Sequence, residues 1–167
     1  MKALNVRDKI KQNDFLVAIE ISKGSKAKFE VCEETGYLKL DRILHTSMQY
    51  PHSYGFIPHT LCPDGDAMDV FVLCSDPLVP YCIVRCYPVG VIKMLDAGES
   101  DDKIIAIPFK DPYYNSYNDI CELPDHFIKE IQHFLESYKT LEGKKVEILN
   151  TYGRKEAEKL IKASIIK

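Results

Sequence analysis

The sequence predicts an α+β domain, mainly β, in which a small antiparallel barrel is flanked by C-terminal helices. Short β-forming segments fill the first two-thirds of the chain, Gly and Pro separate them, and helical spacing of apolar residues begins only near Leu123. The chain has 167 residues, of which 46% are hydrophobic and 28% charged. This composition is sufficient for a single domain, spanning 1–167, with its own core.

Seven β-forming runs are the predicted strands. Phe15 to Ile21 (F-L-V-A-I-E-I) comes first, and Ala27 to Cys32 and Tyr37 to Leu44 flank the turn E-E-T-G, as in a hairpin. The later strands are Met68 to Leu73, Cys82 to Leu95, Lys103 to Pro108 and Lys145 to Leu149. Pro88 and Gly90 interrupt the longest run and predict a bend or bulge there.

Two helices are predicted in the last third of the chain. Leu123-Pro124-Asp125 opens the first, because proline and an acidic residue are favoured in the first helical turn. Apolar side chains then recur at helical spacing at Phe127, Ile131, Phe134, Leu135 and Tyr138. Glu142-Gly143 ends this run, and a second helix is predicted from about Arg154 to Ile166.

Charge and composition narrow the possible functions. The net charge is −3 and no block of five like charges occurs, which argues against nucleic acid as the partner. The N-terminal M-K-A-L-N-V-R-D-K-I lacks the apolar region of a signal peptide, and no run of about 18 apolar residues could span a bilayer. We therefore predict a cytoplasmic protein without a membrane partner, whose six cysteines are reduced.

Two strands carry charges where the pattern favours hydrophobic residues. Arg42 stands among the leucines of its strand, and Glu20 interrupts F-L-V-A-I-E-I. Lys28 and Glu30 share one face of the strand between them. These charges could lie at strand ends reached by water, form a salt-bridge network on the sheet, or line a functional surface of the barrel.

The stretch Q-Y-P-H-S-Y-G-F-I-P, residues 49–58, reads as a loop shaped by Pro51 and Gly55. It carries the phenols of Tyr50 and Tyr54. Tyrosines in such a loop are more often core anchors with a satisfied hydroxyl than contacts to a ligand.

Two acidic clusters lie where a predicted strand meets a loop. The first, P-D-G-D-A-M-D, holds Asp64, Asp66 and Asp69 just before an apolar run. The second, M-L-D-A-G-E-S-D-D-K, holds Asp96, Glu99, Asp101 and Asp102. The first cluster is not an EF-hand, because counting from Asp64 places glycine at position 2 and Ser75 at position 12.

Oxygen ligands without adjacent His or Cys favour hard cations such as Mg²⁺ or Mn²⁺. Two such clusters could hold two or more cations around a small anion, with Lys28, Arg42 and Lys103 as phosphate contacts. The chemistry indicated is metal-assisted phosphoryl hydrolysis. Two solvated acidic turns are the alternative reading of the same residues.

The sequence resembles the soluble family I inorganic pyrophosphatases of the bacterial type. D-G-D-A-M-D-V at 64–70 matches the signature of that family. Further matches are I-E-I at 19–21, K-F-E at 28–30, D-R at 41–42, Y-P-x-x-Y-G-F-I at 50–57, V-G-V-I-K-M-x-D at 89–96, D-D-K at 101–103, H-F-x-E-x-Y-K at 133–139 and L-E-G-K at 141–144. The resemblance covers nearly the whole chain in order. Phe29 departs from it, standing where tyrosine is usual.

The resemblance implies a five-stranded OB-like closed barrel that assembles as a homohexamer, a dimer of trimers. It implies Mg²⁺-dependent hydrolysis of pyrophosphate to two orthophosphates, with three to four Mg²⁺ per site and Mn²⁺ as a possible substitute. Ser137 stands where some bacterial members have a second histidine after His133, so a histidine-mediated trimer contact is not implied.

The resemblance also assigns roles to residues. The metal ligands would be Asp64, Asp69, Asp96, Asp101 and Glu30, with Asp69 bridging two ions, and Asp66 would be the general base for a water between them. The phosphate contacts would be Lys28, Arg42, Tyr54, Lys103, Tyr138 and Lys139, of which Lys28, Arg42 and Tyr54 would act with Asp66 in catalysis. Glu20 and Tyr50 would act behind these residues, Glu20 through water and Tyr50 by tuning the base.

Two other classes remain as alternatives. A nucleic-acid-binding OB barrel would need basic and aromatic residues along its groove, where this chain has carboxylates. A two-metal phosphatase for a larger organic substrate would use the same ligands.

Overall fold

The computed structural model describes residues 6–166, so the first five residues of the charged N-terminal stretch and residue 167 lie outside it. Within this range the strands are β1 (Phe15–Ile21), β2 (Ala27–Val31), β3 (Leu38–Ile43), β4 (Ser53–Ile57), β5 (Met68–Val72), β6 (Ile83–Asp96), β7 (Glu99–Ser100), β8 (Lys103–Pro108) and β9 (Val146–Gly153). The helices are α1 (Asp125–Ser137) and α2 (Arg154–Ser164), and short 3-10 turns cover Arg7–Lys9, Ile120–Glu122 and Thr140–Glu142.

Five strands close into a barrel in the order β1-β4-β5-β8-β6, with β6 pairing back to β1. The predicted closed barrel with C-terminal helices is therefore confirmed. The prediction that it is antiparallel is wrong at one pair, because β5 and β8 run parallel. A ring with an odd number of strands cannot alternate direction all the way round, so closure requires at least one parallel pair.

Strand β6 is long and pairs with four strands, of which β7 pairs only with its last two residues. Its first residues pair with β1, its middle with β8 and its last half with β9. The register shifts between Pro88 and Gly90, which confirms the predicted bulge.

Strands β2 and β3 form a separate two-stranded sheet, the predicted hairpin, in which Lys28 lies opposite Arg42. The hairpin is attached to the barrel at β1, where the backbone N–H of Val31 donates to Glu20 Oε1 at 2.7 Å. A charged strand residue thereby holds the hairpin at the edge of the barrel.

The barrel wall carries an apolar cluster on each face, because successive strand residues point to opposite sides. Val70 and Val72 of β5 belong to one cluster and Phe71 to the other. Helix α1 packs on the Phe71 face through Ile131, Phe134 and Leu135, and α2 packs on the other through Ala157 and Ile161. No helix between residues 6 and 166 is long and apolar enough to cross a membrane.

The main differences from the predicted elements are in three places. The predicted tyrosine loop contains β4, β9 continues from the predicted end at Leu149 to Gly153, and α1 ends at Ser137. A 3-10 turn continues the chain after α1 to Glu142, and Gly143 closes it with a left-handed φ of 71°.

Candidate active site

One cavity of about 650 Å³ gathers side chains from both acidic clusters, the β2–β3 hairpin and the end of α1. The predicted site residues that line it are Glu20, Lys28, Glu30, Tyr54, Asp64, Asp66, Asp69, Asp96, Asp101, Lys103, Tyr138 and Lys139. Arg42 and Tyr50 lie outside the lining. Tyr50 is packed behind the wall, with its ring centre 5.5 Å from that of Tyr54 and 4.8 Å from that of Phe134.

The first acidic cluster is a turn held by its own backbone. Gly65 has a φ of +93°, a conformation that residues with a Cβ rarely adopt. The N–H of Asp66 donates to Asp64 Oδ1 at 3.0 Å, and the carbonyl of Asp66 accepts from the N–H of Cys62 at 2.7 Å. These bonds fix the backbone from which the Asp64 and Asp66 side chains reach the cavity.

Burial raises the pKa of Asp66, and the neighbouring carboxylates, chiefly those of Asp64 and Asp69, raise it further. An aspartate with a raised pKa is a stronger base than an ordinary one. Asp66 therefore combines a place on the cavity wall with increased basicity.

Asp69 and Lys103 face each other across the parallel pair of β5 and β8. Lys103 is only 3% exposed. Its ammonium nitrogen lies 2.6 Å from Asp69 Oδ2 and 2.6 Å from Asp101 Oδ1. Burial alone would lower the pKa of Lys103, but the two carboxylates outweigh burial and raise it. This charged lysine joins the first acidic cluster to the second.

The second acidic cluster folds around a two-residue turn between β6 and β7. Ala97 and Gly98 both have positive φ, 50° and 85°, as a type I′ hairpin turn requires. The turn leaves Asp96 at the end of β6, where it pairs with Lys139. The N–H of Asp101 donates to the carbonyl of Met94 at 3.0 Å, which returns Asp101 to the cavity.

Glu20 is buried at the edge of the cavity. Burial raises its pKa to about 7, against the opposing effect of the hydrogen bond from the Val31 N–H. Burial also raises the pKa of Tyr54, whose ring lies 5.7 Å from the ammonium of Lys103. Glu20, the charged residue in the otherwise apolar β1, thus belongs to this site.

Charged residues of the hairpin form a continuous chain. Lys28 pairs with Glu30 and lies 3.3 Å from Asp41 Oδ2, which also accepts from Arg42 Nη1 at 2.5 Å. Arg42 Nε lies 2.7 Å from Oε1 of Glu142. Arg42 is therefore connected to the cavity through Asp41 and Lys28.

The donor set suits a hard cation, since nine carboxylates line one cavity, among them Glu30, Asp64, Asp66, Asp69, Asp96 and Asp101. Four of these acids, Glu30, Asp69, Asp96 and Asp101, are paired with lysine ammonium groups. No three Asp, Glu, His or Cys side chains of residues 6–166 surround one point closely enough to hold a metal. Carboxylate oxygens are the ligand type that Mg²⁺ prefers. In this structure lysine ammonium groups supply the positive charge that offsets these carboxylates.

Sequence reasoning missed two kinds of residue. Glu33, Glu99 and Lys144 also line the cavity, and of these only Glu99 stood in a cluster that the spacing singled out. Glu142 lies outside the lining, and its position in an unremarkable turn gave no signal that it would meet Arg42.

A closed five-stranded barrel with a cavity lined by carboxylates and lysines defines a class of site whose chemistry suits hard cations and a small anion. The comparisons identify the family within that class. The inorganic pyrophosphatase family model matches residues 17–167. The chain therefore belongs to the inorganic pyrophosphatase family.

Similar proteins from other organisms support this family membership. A Chlamydomonas reinhardtii protein, soluble inorganic pyrophosphatase 2, is 50% identical over 147 residues, which are 88% of this chain and 77% of that protein. Soluble inorganic pyrophosphatase 1 of Arabidopsis thaliana is 50% identical over 134 residues, which are 80% of this chain and 63% of that protein.

Solved bacterial structures share the fold at lower identity. The inorganic pyrophosphatase of Thermus thermophilus is 38% identical with a TM-score of 0.92, and the match covers 98% of this chain and 95% of that one. That of Helicobacter pylori is 37% identical with a TM-score of 0.90, covering 93% and 94%. The resemblance found in the sequence is thus confirmed.

Proposed function

We propose that this protein hydrolyses inorganic pyrophosphate to two orthophosphates, with Asp66 as the general base. The observation that carries the proposal is the cavity in which Asp66, with its raised pKa, lies among further carboxylates and four lysines. The names of the relatives support pyrophosphate as the substrate. The cavity suits a phosphate-containing anion, because the ammonium groups of Lys28, Lys103, Lys139 and Lys144 belong to its lining residues.

Mg²⁺ is the proposed cofactor, with three to four ions per site and Mn²⁺ as a substitute. Asp64, Asp69 and Asp101 would hold the first, Asp69 would also hold the second, Asp96 and Asp101 would hold a third, and Glu30 a fourth. When bound, Mg²⁺ would lower the pKa of a water that it binds and neutralise negative charge on the phosphate oxygens.

The residues of the chain carry out the proton transfer and the binding. Asp66 accepts the proton of the attacking water, and the raised pKa of its carboxyl group favours that transfer. Glu20 and Tyr50 act from behind the residues that contact metal and substrate, Glu20 through water and Tyr50 through its packing against Tyr54.

The phosphate contacts are divided between the two ends of the substrate. Lys28 and Tyr54 would bind the attacked phosphate, whereas Arg42, Tyr138 and Lys139 would bind the leaving one. Lys103 would contribute to either through its ammonium. Lys28, Tyr54, Lys103, Tyr138 and Lys139 all line the cavity, whereas Arg42 lies outside the lining and is connected to it through Asp41 and Lys28.

The proposal is tested by measuring phosphate release from pyrophosphate with Mg²⁺, with Mg²⁺ plus a chelator, and with ATP or tripolyphosphate as the substrate. We expect release from pyrophosphate that the chelator abolishes, with much slower release from the longer substrates. A protein that releases phosphate from ATP but not from pyrophosphate would support the larger-substrate phosphatase instead. No release from any of them would contradict the proposal.

We also propose a cytoplasmic homohexamer, a dimer of trimers. The sequence resemblance supports this assembly. Large apolar side chains that a single chain leaves exposed support it as well: Tyr37, Val79, Tyr113 and Leu141 are all more than 70% exposed.

A further inference from the structure

Glu142 is a buried acid that the proposed mechanism does not use. It ends the 3-10 turn after α1, and its side chain is 7% exposed. Its Oε1 lies 2.7 Å from Nε of Arg42 on β3. Oε2 of Glu142, together with Nε and Nη2 of Arg42, is buried and makes no hydrogen bond within residues 6–166, so the 2.7 Å contact is an ion pair without hydrogen-bond alignment.

The pair joins two walls of the cavity that have no strand in common. Lys28 and Glu30 come from the hairpin, which lies outside the barrel sheet. Tyr138 and Lys139 come from the end of α1, immediately before the turn that carries Glu142. The hairpin therefore needs a tie to the α1 side if the two walls are to keep a fixed distance.

The contact reaches the cavity through a chain of charges. Arg42 donates to Asp41, Asp41 lies 3.3 Å from Lys28, and Lys28 lines the cavity. Lys28 is also directly opposite Arg42 in the β2–β3 register. Arg42 is therefore connected to Lys28 in two ways, through the paired backbones and through Asp41.

The pair is partly shielded from water, since the Glu142 side chain is 7% exposed and that of Arg42 is 20% exposed. Removing Arg42 would leave the Glu142 carboxylate without this counter-charge, whereas removing the charge of Glu142 leaves Arg42 paired with Asp41 alone, so either change disturbs the contact between the hairpin and the turn after α1. A displacement of about 1 Å at a substrate-positioning group can cost roughly a hundredfold in rate. The geometry thus suits a residue that acts on catalysis without touching the substrate.

We propose that Glu142 is a positioning residue. By holding Arg42, it fixes hairpin β2–β3 against the end of α1 and sets the distance between Lys28 on one wall and Lys139 on the other. The choice of pyrophosphate as the ligand between these walls rests on the proposed function, whereas the tie itself does not.

A double-mutant cycle on pyrophosphate hydrolysis tests the proposal. We expect Glu142→Gln, which keeps the shape but removes the charge, to lower kcat/KM about tenfold, mainly through kcat. In an Arg42→Met background the same change should cost less than about twofold, because its effect passes through Arg42. Glu136→Gln, an exposed glutamate of α1, is the matched control and should keep kcat/KM unchanged. A full loss from Glu142→Gln in the Arg42→Met background, or none in the wild type, would overturn the proposal.

Hydrogen exchange of the ligand-free protein gives a second readout that needs no activity. Glu142→Gln and Arg42→Met should each accelerate exchange of the β2–β3 amides about tenfold, and the double variant should be no faster than either. Unchanged exchange in Glu142→Gln would refute the tie even in an active enzyme. If the wild type hydrolyses no pyrophosphate but the exchange effects hold, the proposed function fails and the positioning role stands.

Discussion

Lys103 shows how single residues keep the acidic site folded. Its ammonium lies between Asp69 and Asp101, two acids that repel each other without it. Lys139 likewise pairs with Asp96, and Lys28 pairs with Glu30. We expect carboxylates that bind Mg²⁺ to release these lysines, which can then donate to phosphate oxygens. Each lysine would thus serve the fold first and the substrate second.

His52 gives a residue-level prediction for stability against pH. It is 3% exposed, stacks on Phe127, and has both ring nitrogens buried without a hydrogen-bond partner in residues 6–166. Burial lowers its pKa to about 4. Between that pH and the ordinary pKa of about 6.5, the unfolded chain binds a proton that the folded chain excludes, so stability falls as the pH falls.

Urea denaturation from about pH 7 to about pH 4.5 measures this effect. We expect His52→Gln to remove about 2–3 kcal/mol of the pH-dependent loss of unfolding free energy seen in the wild type. His45→Gln, at an exposed position, should leave that loss in place. Equal pH profiles for His52→Gln and the wild type would show that His52 does not titrate in this way.

Some site residues could be predicted from the sequence because their partners are close along the chain. Asp64, Asp66 and Asp69 form one turn, so their spacing alone indicated a site. The joining of Asp69 to Asp101 by Lys103 depends on the parallel register of β5 and β8, which local patterns do not encode. The contact of Arg42 with Glu142 depends on how the hairpin meets the turn after α1.

At the scale of elements, β4 illustrates why one strand was read as a loop. Pro51, Gly55 and Pro58 are turn signals, and Gly55 interrupts the β-forming pattern. In the fold Gly55 is a close-approach residue, because a Cβ there would lie 1.9 Å from the carbonyl oxygen of Ala18 on β1. Tertiary packing therefore explains a glycine that local propensity assigns to a turn.

Substitution of Gly55 tests this account. We expect Gly55→Ala to reduce the unfolding free energy by more than about 3 kcal/mol, because β4 must separate from β1. Gly36→Ala is the control, since Gly36 has a positive φ of 70° but open space around it, and should cost about 1–2 kcal/mol. Thermal unfolding of both variants gives the comparison. Similar losses for the two would contradict the close-packing explanation.

At the scale of the molecule, ring closure brings the two acidic clusters together. The order β1-β4-β5-β8-β6 places the end of β6, with Asp96, beside the start of β8, which carries Lys103 next to Asp69 of β5. The barrel itself was predictable from many short strands, because a small sheet with two apolar faces must close or be covered. The parallel pair follows from the odd number of strands.

Assembly is the molecule-scale prediction. We expect sedimentation at working concentration to give a mass six times that of the chain, since exposed apolar side chains such as Val79 and Leu141 favour burial between copies. A monomer under the same conditions would contradict the proposed hexamer, whereas a trimer would show that only half of the assembly forms.

The central claim is that the cavity hydrolyses pyrophosphate with Asp66 as its base. The most direct test compares phosphate release by the wild type and Asp66→Asn with Mg²⁺ and saturating pyrophosphate, using Asp76→Asn at an exposed position as the control. We predict that Asp66→Asn lowers kcat by about 10²–10⁴-fold and that the control retains the wild-type rate. A rate near that of the wild type in Asp66→Asn would contradict the claim.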